Sequence, residues 1–181
     1  MNPAPNLVLV GPMGAGKSAI GRRLAERFAL PFVDADREIE LRTGTSVAMI
    51  FECEGEAGFR AREREVLATL LAATGCVVST GGGAVLDAGT RVLLRTRGYV
   101  VHLLVDVEAQ LARLARDRSR PLLAGGDREA VLRHLAEVRD PLYAAVADMQ
   151  FDTRALTAAD AAVKLGHALD SDWQRGLELA S

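Results

Sequence analysis

The chain has 181 residues, 49% hydrophobic and 25% charged, which suits one well-buried globular unit and leaves no length for a second full domain. A net charge of −2 argues against a protein that must neutralise many nucleic-acid phosphates. No apolar run reaches the roughly 20 residues of a membrane span, and no basic leader precedes the first apolar run, so the expected location is the cytoplasm.

Asn6–Val10 is a short apolar run that reads as a buried strand. It runs into Gly11-Pro12-Met13-Gly14-Ala15-Gly16-Lys17-Ser18, which matches the eight-position phosphate-loop signature. Such glycines let successive N–H groups turn inward as an anion nest, and a helix expected over 18–28 adds its positive end. Lys17 can reach the β- and γ-phosphates of a nucleotide, and the Ser18 hydroxyl can ligate Mg²⁺. Of the 22 basic residues only Lys17 and Lys164 are lysine, so a chain that otherwise writes arginine has lysine where phosphate chemistry uses it. Lys164 is expected to be a solvated charge.

Phe32 and Val33 form a second short strand that ends in Asp34-Ala35-Asp36, ahead of a helix over 37–42. Ser46 is a suitable cap for a helix over 47–54, and another follows over 56–73. A third strand, 76–79, is broken by Gly81-Gly82-Gly83, and a helix over 87–96 leads to a strand over 99–105. A helix over 108–116 gives way to the polar stretch 117–127, which contains Pro121, Gly125 and Gly126. The segment 128–147 is helical in pattern, with an interruption expected at Pro141; a weak strand over 149–152 and a helix over 158–169 complete the series. The tail 170–181, with Trp173, has no strong pattern and is either packed or frayed. Strands alternating with helices predict an α/β fold: a five-stranded parallel sheet with helices on both faces and right-handed crossovers, all in one domain spanning 1–181.

Two absences narrow the chemistry. No Asn-Lys-x-Asp string reads guanine, and the third strand ends Ser79-Thr80-Gly81 without the acidic residue that many ATPases place there. The acidic groups follow the second strand instead, at Asp34 and Asp36. Cys53 and Cys76 have no metal spacing, with Cys76 expected in the core, and His102, His134 and His167 are too scattered for zinc.

The chain resembles shikimate kinases over nearly its whole length. The resemblance is carried by the phosphate loop, Asp34-Ala35-Asp36, Ile50-Phe51, Gly55-Glu56, Phe59-Arg60, Gly81-Gly82-Gly83, Arg120-Pro121-Leu122-Leu123, and Arg139 ahead of Pro141-Leu142-Tyr143. It implies a P-loop kinase of the nucleoside-monophosphate-kinase type that moves phosphate from ATP to the 3-hydroxyl of shikimate. It further implies an acceptor-binding region about 34–63, a mobile lid about 117–127, Mg²⁺ as cofactor, ATP and shikimate as small-molecule partners, and a monomer.

Residue by residue, the resemblance gives Asp36 the acceptor hydroxyl and its proton, and makes Lys17 and Arg120 the stabilisers of phosphoryl charge. Gly14, Ala15, Gly16, Lys17, Ser18 and Ala19 would hold ATP, with Arg113, Arg120 and Arg154 around it. Ser18 and, through water, Asp34 would support the metal; alternatively Asp34 merely caps the following helix. Arg60 and Arg139 would clamp the substrate carboxylate, since guanidinium groups bind planar anions bidentately, and Gly81, Gly82 and Gly83 would approach the same ring. By spacing alone, Arg60, Glu63 and Arg64 also suit a solvated ion-paired face; Glu63 can anchor Arg60. Phe51 and Phe59 either wall the ring or belong to the core. Thr153-Arg154-Ala155-Leu156 lacks the proline many relatives place against adenine. Two further readings stay open: another small-metabolite kinase, such as a gluconate kinase, and a nucleotide-binding regulatory relative without catalysis.

Overall fold

Asn6–Val10 (β1) is buried at all five positions, as a central parallel strand covered on both faces must be. In the computed structural model, which describes residues 4–117, 121–123 and 125–174, β1 lies between Val77–Ser79 (β3) and Gly98–Leu104 (β4). Phe32–Asp34 (β2) lies beyond β3 and Met149–Asp152 (β5) beyond β4, giving the order β2-β3-β1-β4-β5 with every pair parallel. The expected sheet is present.

Alternation along the strands divides the interior in two. Leu7 and Leu9 of β1, with Val101 and Leu103 of β4, pack against Ile20, Leu24 and Phe28 of helix Lys17–Phe28 (α1) and Leu165 and Leu169 of helix Ala158–Asp172 (α7). Val8, Val10, Val78 and Val100 face the other way. They meet Leu67 and Leu71 of helix Val47–Ala72 (α3), Leu94 of helix Ala88–Arg97 (α4), and Tyr143 and Val146 of Arg128–Val146. Each such aliphatic side chain contributes about 2 kcal/mol by leaving water. A smaller cluster of Ile39, Ile50, Phe59 and Val66 packs helix Ala35–Thr43 (α2) on α3, and a fourth joins Leu114 of helix Val107–Leu114 (α5) to Leu123 and Leu132.

Several boundaries have local causes. The two helices expected over 47–54 and 56–73 are one bent rod, α3, broken at Gly55, whose φ of 69° and ψ of −177° are not helical. Helix α2 starts at Ala35, two residues earlier than expected, because the Asp34 side chain accepts from Arg37 N and caps it. The interruption expected at Pro141 does not occur: Arg128–Val146 is one helix (α6) with the proline inside it. Leu132, Arg139, Tyr143 and Val146 lie buried on either side of the proline and hold both halves of α6 against the body. That burial offsets the roughly 3 kcal/mol an internal proline costs. The tail is packed as far as described: the Trp173 indole donates to Ala4 O at 2.9 Å and meets Phe28 edge-on at 5.5 Å.

Candidate active site

The phosphate loop joins the C-terminal end of β1 to the first turn of α1. Gly11 has φ 144°, and a Cβ there would stand 2.7 Å from Leu103 O, so only glycine fits. The Lys17 ammonium donates to Gly11 O at 2.7 Å and Pro12 O at 2.9 Å, which holds the cation inside the loop. Helix α5 braces the loop from outside: the Gln110 amide donates to Met13 O and the Arg113 guanidinium to Gly14 O.

Strand β2 sits beside β3 with Asp34 in register with Ser79, and this brings the Asp34 carboxylate to α1. The Ser18 hydroxyl donates to Asp34 Oδ2 and lies 3.3 Å from Ser79 Oγ. Asp34 therefore both caps α2 and touches the loop serine; the two alternatives are compatible, one oxygen for each. The hydroxyl and the carboxylate are hard oxygen donors, the kind Mg²⁺ takes. Among the described residues no group of three or more His, Cys, Asp or Glu could hold a metal.

The acceptor side comes from three directions. Asp36 is in the first turn of α2, Arg60 and Glu63 are on α3, and Arg139 is on α6. Asp36, Arg60, Gly81, Gly82, Gly83 and Arg139 line one cavity of about 620 Å³ together with Lys17, Ser18 and Asp34. The nucleotide loop and the arginines thus share a single space. Phe51 and Phe59 line it too, while Phe59 is also core, and the Arg60 guanidinium lies 5.2 Å from the Phe59 ring centre.

Charges alternate around this space. Arg60 pairs with Glu63 at 2.6 Å and with Glu56 at 3.1 Å, but the solvated face suggested by spacing is not what forms: Glu63 is buried and Arg64 pairs with Asp87 instead. Burial works against its charge, yet Glu63 and Glu56 hold the Arg60 pKa above its ordinary value. Glu63 is only 2% exposed, and burial pushes its carboxyl above the usual range against the pull of Arg60; Asp36 adds to the rise and Arg139 opposes it. Glu63 Oε1 and the Nε atoms of Arg60 and Arg139 are buried without a hydrogen-bond partner. The glycines matter sterically: a side chain at Gly81 would strike Glu63 and Asp36, and one at Gly83 would strike the Arg60 guanidinium.

The remaining expected residues are placed less uniformly. Gly14, Gly16 and Ala19 line the cavity, whereas Ala15 is buried behind the loop. Arg113 is engaged with Gly14 O and Thr153 O, and Arg154 is exposed and paired with Asp152; neither lines the cavity. Arg120 lies outside the described residues, as does part of the lid stretch, though Pro121 and Leu122 reach the cavity wall. His134 and His167 are exposed, but His102 is buried in β4 with its ring 5.0 Å from that of Tyr143. Burial, helped by Lys17, lowers its pKa to about 4, so the ring is neutral. The sequence reading missed Gln110, His102 and Tyr143 as neighbours of the site; of these only Tyr143 had a signal, in the motif following Arg139.

A parallel sheet with a phosphate loop after its central strand, and a cavity shared by that loop, a carboxylate and two arginines, defines a P-loop phosphotransferase for a small anionic acceptor. The family model for shikimate kinase matches residues 13–170. A shikimate kinase of Stenotrophomonas maltophilia strain K279a is 61% identical over 175 residues, covering 97% of each chain. The solved shikimate kinase of Acinetobacter baumannii, in complex with shikimate, is 47% identical with a TM-score of 0.90, covering 94% of this chain and 95% of that one. That of Bacteroides thetaiotaomicron is 30% identical with a TM-score of 0.83, over 91% of this chain and 98% of that one. The chain belongs to the shikimate kinase family.

Proposed function

We infer that this enzyme transfers the γ-phosphoryl group of ATP to the 3-hydroxyl of shikimate, giving shikimate 3-phosphate in aromatic amino-acid biosynthesis. Family membership supports the reaction. The observation that carries the residue assignment is the single cavity in which Lys17 and Ser18 face Asp36, Arg60 and Arg139. The carboxylate of shikimate is taken up by Arg60 and Arg139, which turns its hydroxyl-bearing edge towards Asp36. Asp36 orients the acceptor O–H in line with the γ-phosphate and receives its proton as the new P–O bond forms. Lys17 leaves the Gly11 and Pro12 carbonyls for the β- and γ-phosphates and offsets their charge there.

Ser18 and, through water, Asp34 would hold Mg²⁺, which would supply positive charge against the charge that develops on the phosphoryl group. Arg120 is assigned to the migrating phosphoryl group, and Arg113 and Arg154 to the nucleotide, on the family resemblance alone. The enzyme is proposed to act as a cytoplasmic monomer; no described helix is long and apolar enough to cross a membrane.

The test is a coupled assay for ADP with Mg²⁺, ATP and either shikimate or gluconate. Shikimate is expected to be turned over and gluconate not. Folded protein inactive on shikimate, or preferring gluconate, refutes the proposal.

A further inference from the structure

We propose that Tyr143 is a positioning residue that ties the Gly82 peptide and the Arg139 guanidinium into one acceptor-binding unit; this rests on the acceptor site proposed above. Tyr143 is 1% exposed, and its hydroxyl donates to Gly82 O. Burial pushes the phenol up to about 12, so it keeps its single proton, and that proton is committed to Gly82. Its lone pairs are left for Arg139, which is close enough to pull the phenol pKa back down. Arg139 and Tyr143 are four residues apart on α6 and therefore project from the same face.

The convergence is visible from Gly82. A Cβ built there would lie 3.4 Å from Arg139 Nη1, 3.6 Å from Tyr143 Oη and 3.7 Å from Gly11 O. The acceptor arginine, the tyrosine and the first carbonyl of the phosphate loop thus meet at one point, and Lys17 holds that same carbonyl from the other side at 2.7 Å. Because a peptide is planar and trans, anchoring Gly82 C=O also fixes the direction of Gly83 N–H. The His102 ring, 5.0 Å from the tyrosine ring and tilted 38° to it, packs against the phenol from β4. A long arginine side chain otherwise loses rotamer freedom on binding an anion, and a fixed oxygen beside it removes part of that loss beforehand.

The experiment is steady-state kinetics of Tyr143→Phe, which keeps the ring and deletes the oxygen, beside wild type and Tyr99→Phe. Tyr99 is a buried tyrosine in the opposite half of the core, next to Trp173, and controls for loss of a phenol as such. Expected for Tyr143→Phe is a KM for shikimate raised about tenfold, the value of one hydrogen bond to a charged group, with KM for ATP within twofold. Tyr99→Phe should leave both constants within twofold. In an Arg139→Ala background the Tyr143→Phe change should add less than twofold, because the two residues act as a unit. Should Tyr143→Phe fail to fold, 3-fluorotyrosine incorporated into Tyr99→Phe protein, where Tyr143 is the one tyrosine left, makes the same oxygen a weaker acceptor and is expected to raise the shikimate KM alone; an unchanged shikimate KM there overturns the proposal. A shikimate KM within twofold of wild type, or both KM values rising together, overturns the proposal. Wild-type protein inactive on shikimate overturns the function and this proposal with it; an active wild type with an unchanged variant overturns this proposal alone.

Discussion

Removing Arg139 tests the acceptor site most directly. Arg139 enters the cavity from α6 and is only 5% exposed, so no solvent charge replaces it. Around the acceptor space Asp36 and Glu63 are acidic and Arg60 and Arg139 basic; Arg139→Ala leaves two acids facing one guanidinium. Charge-assisted hydrogen bonds contribute about 1.5–3 kcal/mol each, and a fork holding a carboxylate makes two. A loss of about 3 kcal/mol corresponds to a KM for shikimate raised roughly a hundredfold. The ATP constant should move less than threefold, since Arg139 touches Gly82 rather than the loop glycines 14 and 16. Arg139→Lys restores charge without the fork and should fall between wild type and alanine. Initial rates over a matrix of both substrates measure all of this. A variant whose ATP affinity alone suffers, or whose shikimate KM stays within threefold, refutes the assignment.

Asp36→Asn should lower kcat by about 10²–10⁴, as loss of general-base and orienting help does, with ATP binding by titration nearly unchanged. Gly83→Ala puts a methyl group into the Arg60 guanidinium and should raise KM for shikimate while leaving KM for ATP alone, read from the same kinetics. His102 gives a pH signature. Its folded pKa of about 4 lies below the ordinary 6.5, so the unfolded chain binds more protons between those values and stability falls as pH drops through that window. The full effect is on the order of 3 kcal/mol, and His102→Phe should flatten that part of the Tm-against-pH curve; an unchanged slope would count against a buried neutral ring.

Much of this was legible in the chain because strong local signals coincide. The phosphate loop carries its own geometry, since the glycines at 11, 14 and 16 take positive φ values and the lysine and serine follow at once. Asp34 could be singled out because β3 ends without an acid, and the sheet order then sets β2 beside β3 and brings the carboxylate to Ser18. Pro141 misled because proline propensity is local, whereas burial on both sides of it is set by tertiary packing. Gln110 and His102 were illegible for the same reason, while Tyr143 stood in a motif whose contacts only the packing reveals. Gln110 reaches the loop from a helix almost a hundred residues later in the chain, and His102 depends on which face of β4 looks towards α6. For Glu63 the spacing gave the ion pair, but its burial comes from Gly81, which lets the segment after β3 lie against it.

The small cluster of Ile39, Ile50, Phe59 and Val66 has a consequence for how such an enzyme can change. It holds α2 to α3 on both sides of the Gly55 bend, with Leu70 bordering both it and one of the two large clusters that flank the sheet. The phosphate loop is anchored to β1 and α1, while Asp36, Arg60 and the two phenylalanines, the proposed acceptor side, sit on α2 and α3. On the proposed assignment, substitutions in this cluster reshape what is phosphorylated while the phosphate loop stays still. The patch is no detachable unit, since Ala35 of α2 and Leu67 and Leu71 of α3 root it in the core beside the sheet, so such change is confined to the residues facing the cavity.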